Sequence, residues 1–329
     1  MTERTSVLQS SQVGVETVPG TGVPALHRLS AFSIEPQPKI KTGEFTPQGA
    51  KHVTVTTLEE SYAELKVTGV PTYTELQYLL ATVIGNAVVT AGTDLVSQSW
   101  SFQPNTFGAD AVASLTVETG DVGRAQRVSG CAGTELTLGW KAGNTPKADG
   151  TLVGGAIEDG VALSTGAVVT EALVPINLTE GTFYLDTAFV GIGTTKLTRC
   201  FDFEAKTTGR RKPFFVLDAS LAGAPAGNVE AKSTNEVKLT LAADDAGMAF
   251  YNGLPGNATY YLRAEFVGGV VPTGTEHFAF TADYAVKVKD VSGLKDTEGV
   301  WGVDITLTIV EDGAGNNQHY TLVNAAATL

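Results

Sequence analysis

Strict alternation of apolar and polar residues is the feature that most restricts the fold of this 329-residue chain. It runs through Val237-Lys-Leu-Thr-Leu241 and through Val303-Asp-Ile-Thr-Leu-Thr-Ile309. Residues two apart lie on the same side of a β-strand, so these runs predict strands with one face in a core and the other in solvent. Shorter runs of the same kind occur at 53–56, 63–67, 115–118, 135–138 and 286–289. We therefore predict an all-β fold of antiparallel strands, either a β-sandwich or a sheet that forms part of a barrel.

Two short helices are expected to interrupt the strands. Thr72-Tyr-Thr-Glu75 has the form of a capping box and follows Pro71, which predicts a helix over 72–84. Its apolar face would consist of Leu76, Leu79, Leu80 and Val83. A second helix is predicted over 244–252, beginning near Asp244. Both helices are expected to cover a sheet.

The sequence also matches itself at a nearly constant offset. The six matches, in chain order, are 15–17 with 185–187, 32–35 with 201–204, 65–67 with 239–241, 128–130 with 291–293, 133–138 with 302–307, and 151–153 with 321–323. The offset of about 170 residues is far longer than a solenoid repeat, so it predicts two tandem copies of one domain. We assign a flexible N-terminal arm to residues 1–12, a first domain to 13–172 and a second to 173–329. Residues 1 to about 30 are expected to pack on a neighbouring subunit rather than within their own domain.

Composition and charge narrow the range of functions. The net charge of −13 argues against a protein that binds nucleic acid by neutralising phosphates. The two cysteines, Cys131 and Cys200, are too few for a disulfide scaffold and are expected to be reduced and buried. We find neither an apolar signal-peptide core nor a stretch of about 18 apolar residues, so we expect the chain to fold in the cytoplasm of the cell that makes it.

Several segments resemble the tail tube (major tail) proteins of long-tailed bacteriophages. They are 13–24 (VGVETVPGTGVP), 28–36 (RLSAFSIEP), 45–49 (FTPQG), 69–80 (GVPTYTELQYLL), 129–138 and 150–154 (GTLVG). The resemblance is clear over residues 13–165 and weaker beyond them. It implies a β-sandwich with one helix per domain, and rings in which six such domains each contribute about four strands to an inner barrel of about 24 strands.

The resemblance also implies a function and a set of partners. Rings of the chain would stack into a hollow tube that conducts the DNA genome into the host. Because one chain would carry two tube domains, three copies should complete a ring with pseudo-sixfold symmetry. The implied partners are the tape measure protein, the tail terminator, the baseplate or distal tail proteins, and DNA in transit. The implied location is the virion tail, assembled in the host cytoplasm.

The residues give no indication of an enzyme, a cofactor or a metal centre. None of the four histidines shares a metal-binding spacing with Cys or a carboxylate. Gly191-Ile-Gly-Thr-Thr-Lys196 lacks the spacing of a phosphate loop and is read as a turn. The basic run Arg210-Arg-Lys212 is interpreted as a solvated loop or an ion-pair site between subunits.

The acidity of the chain has two possible roles. An acidic channel would repel DNA, so we expect carboxylates to outnumber Lys and Arg on an inner surface; alternatively, acidity serves solubility alone.

Two functions remain open, the tail tube subunit and a binding module. The alternative function is a two-domain Ig-like adhesin or carbohydrate-binding module. An adhesin should be a monomer with exposed aromatic platforms, whereas a tube subunit should form rings.

Overall fold

The computed structural model describes residues 9–244, 247–250, 257–297 and 299–329. Strands make up 54% of it and helices 6%, so the predicted all-β fold is confirmed. In the first half the elements are β1 (Ser10–Val15), β2 (His27–Leu29), β3 (Phe32–Phe45), β4 (Val55–Gly69), α1 (Leu76–Val83), β5 (Val88–Ala91), β6 (Gln98–Phe102), β7 (Leu115–Asp121), β8 (Arg124–Lys141), β9 (Lys147–Gly154), β10 (Glu158–Val161) and β11 (Val169–Thr170). In the second half they are β12 (Gly181–Asp186), β13 (Lys196–Leu197), β14 (Cys200–Thr208), β15 (Arg211–Phe214), β16 (Gly227–Glu230), β17 (Thr234–Ala242), β18 (Thr259–Val270), β19 (His277–Val291), β20 (Lys295–Thr297), β21 (Val300–Ile309) and β22 (Gln318–Asn324).

One layer of the fold is an eight-stranded antiparallel sheet. Its strand order is β3-β4-β9-β8-β14-β17-β21-β19. The first four strands come from the first half of the chain and the last four from the second half. The halves meet where β8 pairs with β14, from Lys141 opposite Asp202 to Glu135 opposite Thr208. We call this sheet the eight-stranded layer.

The opposite layer consists of two sheets, the first built from strands of the first half and the second mainly from strands of the second half. The first has the order β11-β2-β1-β7-β8-β10. The second has the order β13-β12-β18-β19-β22-β6-β5. The long strands β8 and β19 each belong to both layers, because their N-terminal parts pair in the opposite layer and their C-terminal parts in the eight-stranded layer.

The pairing scheme of the first half recurs in the second half. The equivalent strands are β1 and β12, β2 and β13, β3 and β14, β4 and β17, β7 and β18, β8 and β19, β9 and β21, and β10 and β22. A bulge lies at Thr134 of β8, where β8 pairs with β9, and another lies at Lys289 of β19, where β19 pairs with β21. Aligning these bulges places Thr134 on Lys289 and, through the paired registers, Glu35 of β3 on Glu204 of β14.

This alignment corrects part of the sequence comparison. The first three matches fall on equivalent strands. The fourth match falls in the region of β8 and β19, but the residues that it aligns are not the ones that the bulges place together. The fifth match aligns β8 with β21 and the sixth aligns β9 with β22, and these strands are not equivalent. A constant offset fails because 45 residues separate β4 from β7, whereas only 16 separate their equivalents β17 and β18. The domain boundaries at residues 13–172 and 173–329 stay predictions; β5 and β6 of the first half pair beside β22.

Aromatic packing makes the core continuous across the junction. Trp140 of β8 is buried, and its ring lies 4.6 Å from the ring of Phe266 in β18. Phe203 and Phe280, both of the second half, complete its surroundings at 5.9 and 6.0 Å. The Nε1–H group of Trp140 donates to the carbonyl of Ile176 at 3.1 Å. The two halves therefore share one apolar interior, and their separation would expose it.

Helix α1 is more deeply buried than its sequence pattern predicts. The predicted apolar face is buried, but so are Gln77, Tyr78 and Thr82 on the other sides. A Cβ atom on Gly133 of β8 would clash with Cγ2 of Val83, so a glycine is required where α1 crosses β8. The helix therefore lies within the core and does not cover a sheet from outside.

The predicted capping box of α1 is only half formed. The hydroxyl of Thr72 accepts the amide of Glu75 at 3.1 Å. The Glu75 carboxylate instead accepts the amides of Ser30 and Ala31, at 2.7 and 3.1 Å, and so ties the helix start to the turn between β2 and β3. The helix begins at Leu76 rather than residue 72. Of the second predicted helix, 247–250 is helical, and 245–246 and 251–252 lie outside the described residues.

The prediction of an N-terminal arm reaching residue 12 is wrong. β1 begins at Ser10 and pairs with both β2 and β7, and the side chains of Ser11, Gln12 and Val13 are buried. The expectation that residues up to about 30 pack only on a neighbour fails for β1 and β2. Polar residues of β1 can be buried because their side chains form hydrogen bonds. The hydroxyl of Ser11, for example, accepts the amide of Ile34 at 3.1 Å. Residues 1–8 lie outside the described residues.

Candidate functional site

The outer face of the eight-stranded layer is a continuous polar surface. On each strand, alternate residues point into the core and the others outward, and the register places the outward residues in rows across the sheet. One row contains Lys147, Gly139, Glu204, Lys238, Thr306 and Asp290. The next contains Asp149, Thr137, Lys206, Glu236, Thr308 and Lys287. We call this surface the polar face.

Ion pairs between strands link most of the lysines on the polar face to carboxylates. The Nζ–carboxylate distances are 2.7 Å for Lys206–Glu135, 3.6 Å for Lys238–Glu204, 3.4 Å for Lys39–Glu64 and 2.5 Å for Lys295–Asp304. Lys289 makes a further pair with Glu236. Because these groups are about half exposed, each pair adds little stability, but the lysines are already neutralised by neighbouring charges.

The polar face carries no excess of negative charge. Its carboxylates are Glu35, Glu64, Glu135, Asp149, Asp202, Glu204, Glu236, Asp290 and Asp304. Its lysines are Lys39, Lys66, Lys141, Lys147, Lys206, Lys238, Lys287, Lys289 and Lys295. The two sets are equal in number, so the net charge of −13 arises on other surfaces. The expected excess of carboxylates is therefore not found on this face.

The two ends of the eight-stranded layer are open edges. In the described part of the chain, β3 pairs with one strand, β4, and β19 beyond residue 287 pairs only with β21. Phe32 and Ile34 of β3 direct their amides away from β4, toward Glu75 and Ser11. By the alternation of an antiparallel pair, residues 36 and 38 also point outward, and both are proline. Alternating prolines in a run of strand character are the sequence signal for this edge, and our sequence reasoning overlooked it.

A long hairpin extends the same edge into solvent. β3 and β4 remain paired as far as Phe45 opposite Val55, well beyond the core. Ile40, Phe45, Val55 and Leu58 are between 53% and 64% exposed, which is unusual for such large apolar side chains on one hairpin. The amide of Ser61 donates to the carbonyl of Gly223 at 2.8 Å, so the segment between β15 and β16 supports the base of the hairpin.

The basic run Arg210-Arg-Lys212 is not a solvated loop. Arg210 and Arg211 are buried, and Arg210 forms an ion pair with Asp110. Nε of Arg210 donates to the carbonyl of Val83 at 2.7 Å and Nη2 donates to that of Ile84 at 2.9 Å. A cation thus satisfies the carbonyls at the C-terminus of α1. In this chain the run joins the two halves, and only Lys212 is exposed.

The glycine-rich segment 191–196 forms a closed turn around an internal carboxylate. Asp186 accepts the amides of Gly193, Thr194 and Thr195 at 2.8, 3.2 and 3.0 Å, and the hydroxyl of Thr194 at 2.7 Å. Burial alone would raise the pKa of Asp186, but these hydrogen bonds lower it to about 2. The donors that could cradle a phosphate are already used, so the segment is a turn.

The histidines and cysteines are placed separately from one another. Nδ1 of His27 lies 2.8 Å from Glu171, Nε2 of His319 lies 2.7 Å from the Ser101 hydroxyl, and burial lowers the pKa of His319. Burial raises the pKa of Cys131, and that of Cys200 to about 12. No cluster of three His, Cys, Asp or Glu side chains suited to a metal is found among the described residues.

Comparison with known proteins adds no identification. The sequence matches no known family, and no curated protein resembles it closely enough to be matched. Within the described residues, no helix is both long and apolar enough to cross a membrane.

Proposed function

We propose that this chain is the structural subunit of a bacteriophage tail tube and has no catalytic activity. The observation that carries the proposal is the eight-stranded layer, in which two equivalent four-stranded sheets are joined edge to edge. The outer strands β3 and β19 leave an edge open at either end. β3 is equivalent to β14, and β19 is equivalent to β8. β14 and β8 already pair with each other within the chain.

Repeating this junction between chains would close a ring. Three copies would contribute 24 strands, eight from each chain, and the two halves would alternate around the ring. A head-to-tail contact that rotates shut gives a closed cyclic assembly. Closure would also protect the open edges, which otherwise invite aggregation. A barrel of that size leaves an open channel, since barrels of about 16–18 strands already do.

The polar face would then line the channel. Five of its nine lysines are paired with carboxylates and would be less available to DNA phosphates. DNA would therefore pass without binding because the lysines are neutralised locally, and not because the inner surface has a net negative charge. The tube would be part of the virion tail, assembled in the host cytoplasm. Contacts with the tape measure protein, the tail terminator and the baseplate or distal tail proteins belong to the same proposal.

Electron microscopy and native mass spectrometry of the purified protein test the proposal. We expect hollow rings or tubes, with three chains per ring. Six chains per ring would contradict the joint use of both halves in the tube wall. A protein that stays monomeric at all concentrations, with or without crowding agents, would contradict the tube function and favour a binding module.

A further inference from the structure

The junction within the chain provides a template for a contact between chains. β14 lies antiparallel on the edge of β8, with Thr208 opposite Glu135. The strands equivalent to β14 and β8 are β3 and β19, in the residue correspondence set by the two aligned bulges. Transferring the β14–β8 register through this correspondence places Lys39 opposite Asp290 of a second copy, Gln37 opposite Ser292, and Glu35 opposite Leu294.

Both edges are accessible over this length. Glu35, Gln37 and Pro38 are exposed on β3. Lys289 and Asp290 are exposed at the end of β19, as are Gly293 and Leu294 just after it. A cleft of about 310 Å³ lies beside β3, lined by residues that include Glu35, Pro36, Thr119 and Arg124. The opposed residues Lys39 and Asp290 also carry opposite charges, which favours this register over one that opposes like charges.

The composition of the two edges differs in one respect. Ala205 and Thr207 of β14 lie opposite Leu138 and Leu136 of β8, and their equivalents in β3 are Pro36 and Pro38. Proline has no amide hydrogen, so β3 can only accept hydrogen bonds at these positions. Two β3 edges facing each other would lack donors on both sides. The β19 edge instead presents Val291 at its end and Gly293 just after it, and both retain their amides.

We propose that β3 of one copy adds antiparallel to the open edge of β19 in a second copy, with Lys39 opposite Asp290, and that Pro36 and Pro38 restrict β3 to accepting hydrogen bonds there. The inference rests on the proposed function, since it assumes that chains join into rings. It adds the partner edge, the register and the residues that prevent two β3 edges from pairing. The resulting contact has fewer backbone hydrogen bonds than the β8–β14 junction and is therefore the weaker of the two.

Disulfide trapping tests the register. A chain carrying Lys39→Cys and Asp290→Cys should form intermolecular disulfides on mild oxidation, ending in a covalent trimer. The matched control carries Lys41→Cys and Asp290→Cys, which displaces one thiol by about 7 Å along the strand and should cross-link several-fold less. The parent chain controls for Cys131 and Cys200, which form no disulfide with each other. Equal or stronger cross-linking of the displaced pair would overturn the register.

Microscopy of the same samples separates the two proposals. Rings that form without cross-linking at 39 and 290 would overturn this inference and leave the tube function standing. Absence of both rings and cross-links would overturn both.

Replacing the prolines tests the second part of the proposal. Pro36→Ala with Pro38→Thr copies the residues of β14 and restores two amide donors at the edge. We expect the concentration at which rings dissociate to fall roughly tenfold or more, as two added hydrogen bonds would give. Pro47→Ala, in the hairpin turn, controls for lost proline stiffness and should leave it unchanged. Far-UV circular dichroism verifies folding, and an unchanged or higher dissociation concentration for the double variant would overturn the role of the prolines.

Discussion

Arg210 donates its Nε–H group to the backbone carbonyl of Val83, 2.7 Å away, across 127 residues of sequence. The same guanidinium pairs with Asp110, and the side chains of Arg210 and Asp110 are only 7% and 3% exposed. One cation of the second half thus completes both the end of a helix and a buried ion pair of the first half. The closeness of the two halves therefore depends on a charged group as well as on apolar packing.

Arg210→Met is expected to destabilise the protein strongly. It leaves the Asp110 carboxylate buried without its cation and removes the donors from two helix carbonyls, which should lower the free energy of unfolding by about 3–5 kcal/mol. Urea denaturation measures the change. Lys212→Met removes an exposed neighbouring charge and should change stability by less than about 0.5 kcal/mol. A similar small effect for both variants would show that the buried pair contributes little.

Asn324→Ala is expected to weaken the contact between the halves on the opposite layer. The Asn324 side chain accepts from Nε1 of Trp100 at 3.0 Å and donates to the carbonyl of Tyr73 at 2.8 Å. Each buried group left without a partner should cost about 1–3 kcal/mol.

Tryptophan fluorescence and far-UV circular dichroism should follow one common urea transition in the parent chain, because the core is shared. Two separate transitions in the parent would show that the halves unfold independently.

The sequence predicted local structure better than it predicted contacts between distant segments. Alternation identified strands such as β17 and β21 because one face of each is in the core and the other on the polar face. The burial of Arg210 could not be predicted, since a basic run is solvated unless a distant carboxylate such as Asp110 approaches it. The full burial of α1 was not predicted for the same reason. The polar side of the helix is covered by residues from the other half of the chain, such as Asn324, which donates to Gln77.

The candidate functional surface was only partly predictable. The polar positions of the alternating strands were apparent, but the pairing of their lysines and carboxylates depends on register, which the chain sequence does not specify between non-adjacent strands. The strands of the second half were also misaligned beyond β17, because matches between short alternating runs are nearly interchangeable. Pro36 and Pro38, by contrast, were detectable from sequence as residues that only an edge strand tolerates.

Asp186→Asn is expected to change how stability depends on pH. Because the pKa of Asp186 is about 2, below the value near 3.9 of an unfolded aspartate, its ionised form stabilises the fold above pH about 4. This contribution disappears as the pH falls through 2. The stability difference between the parent and the variant, measured by urea denaturation, should therefore be largest near neutral pH and shrink between pH 4 and 2.

Asp202→Asn provides a control of opposite sign. Burial raises the pKa of Asp202, so its ionisation opposes folding and the parent should gain stability over this variant as the pH falls. If both differences changed with pH in the same direction, the hydrogen bonds of the 191–196 turn would not be the cause.

Removing carboxylates from the polar face should make it bind DNA. Glu204→Gln, Glu236→Gln and Asp304→Asn together remove the partners of Lys238, Lys289 and Lys295. The three lysines would then be available to phosphates, and counterion release would favour binding. Fluorescence anisotropy with a labelled duplex at low salt should show little binding by the parent chain and clear binding by the triple variant.

The dependence on salt and position separates this effect from a general change of charge. Binding by the triple variant should weaken steeply with salt, with a slope of log K against log salt of about −0.9 for each phosphate neutralised. Glu44→Gln, Glu158→Gln and Glu265→Gln change the net charge equally but lie away from the polar face, so this control should bind several-fold more weakly. Equal binding by the two variants would mean that net charge, rather than local pairing of the lysines, keeps DNA from binding. We expect the triple variant of the polar face to bind more strongly than the control, because the polar face has equal numbers of lysines and carboxylates while the whole chain is acidic.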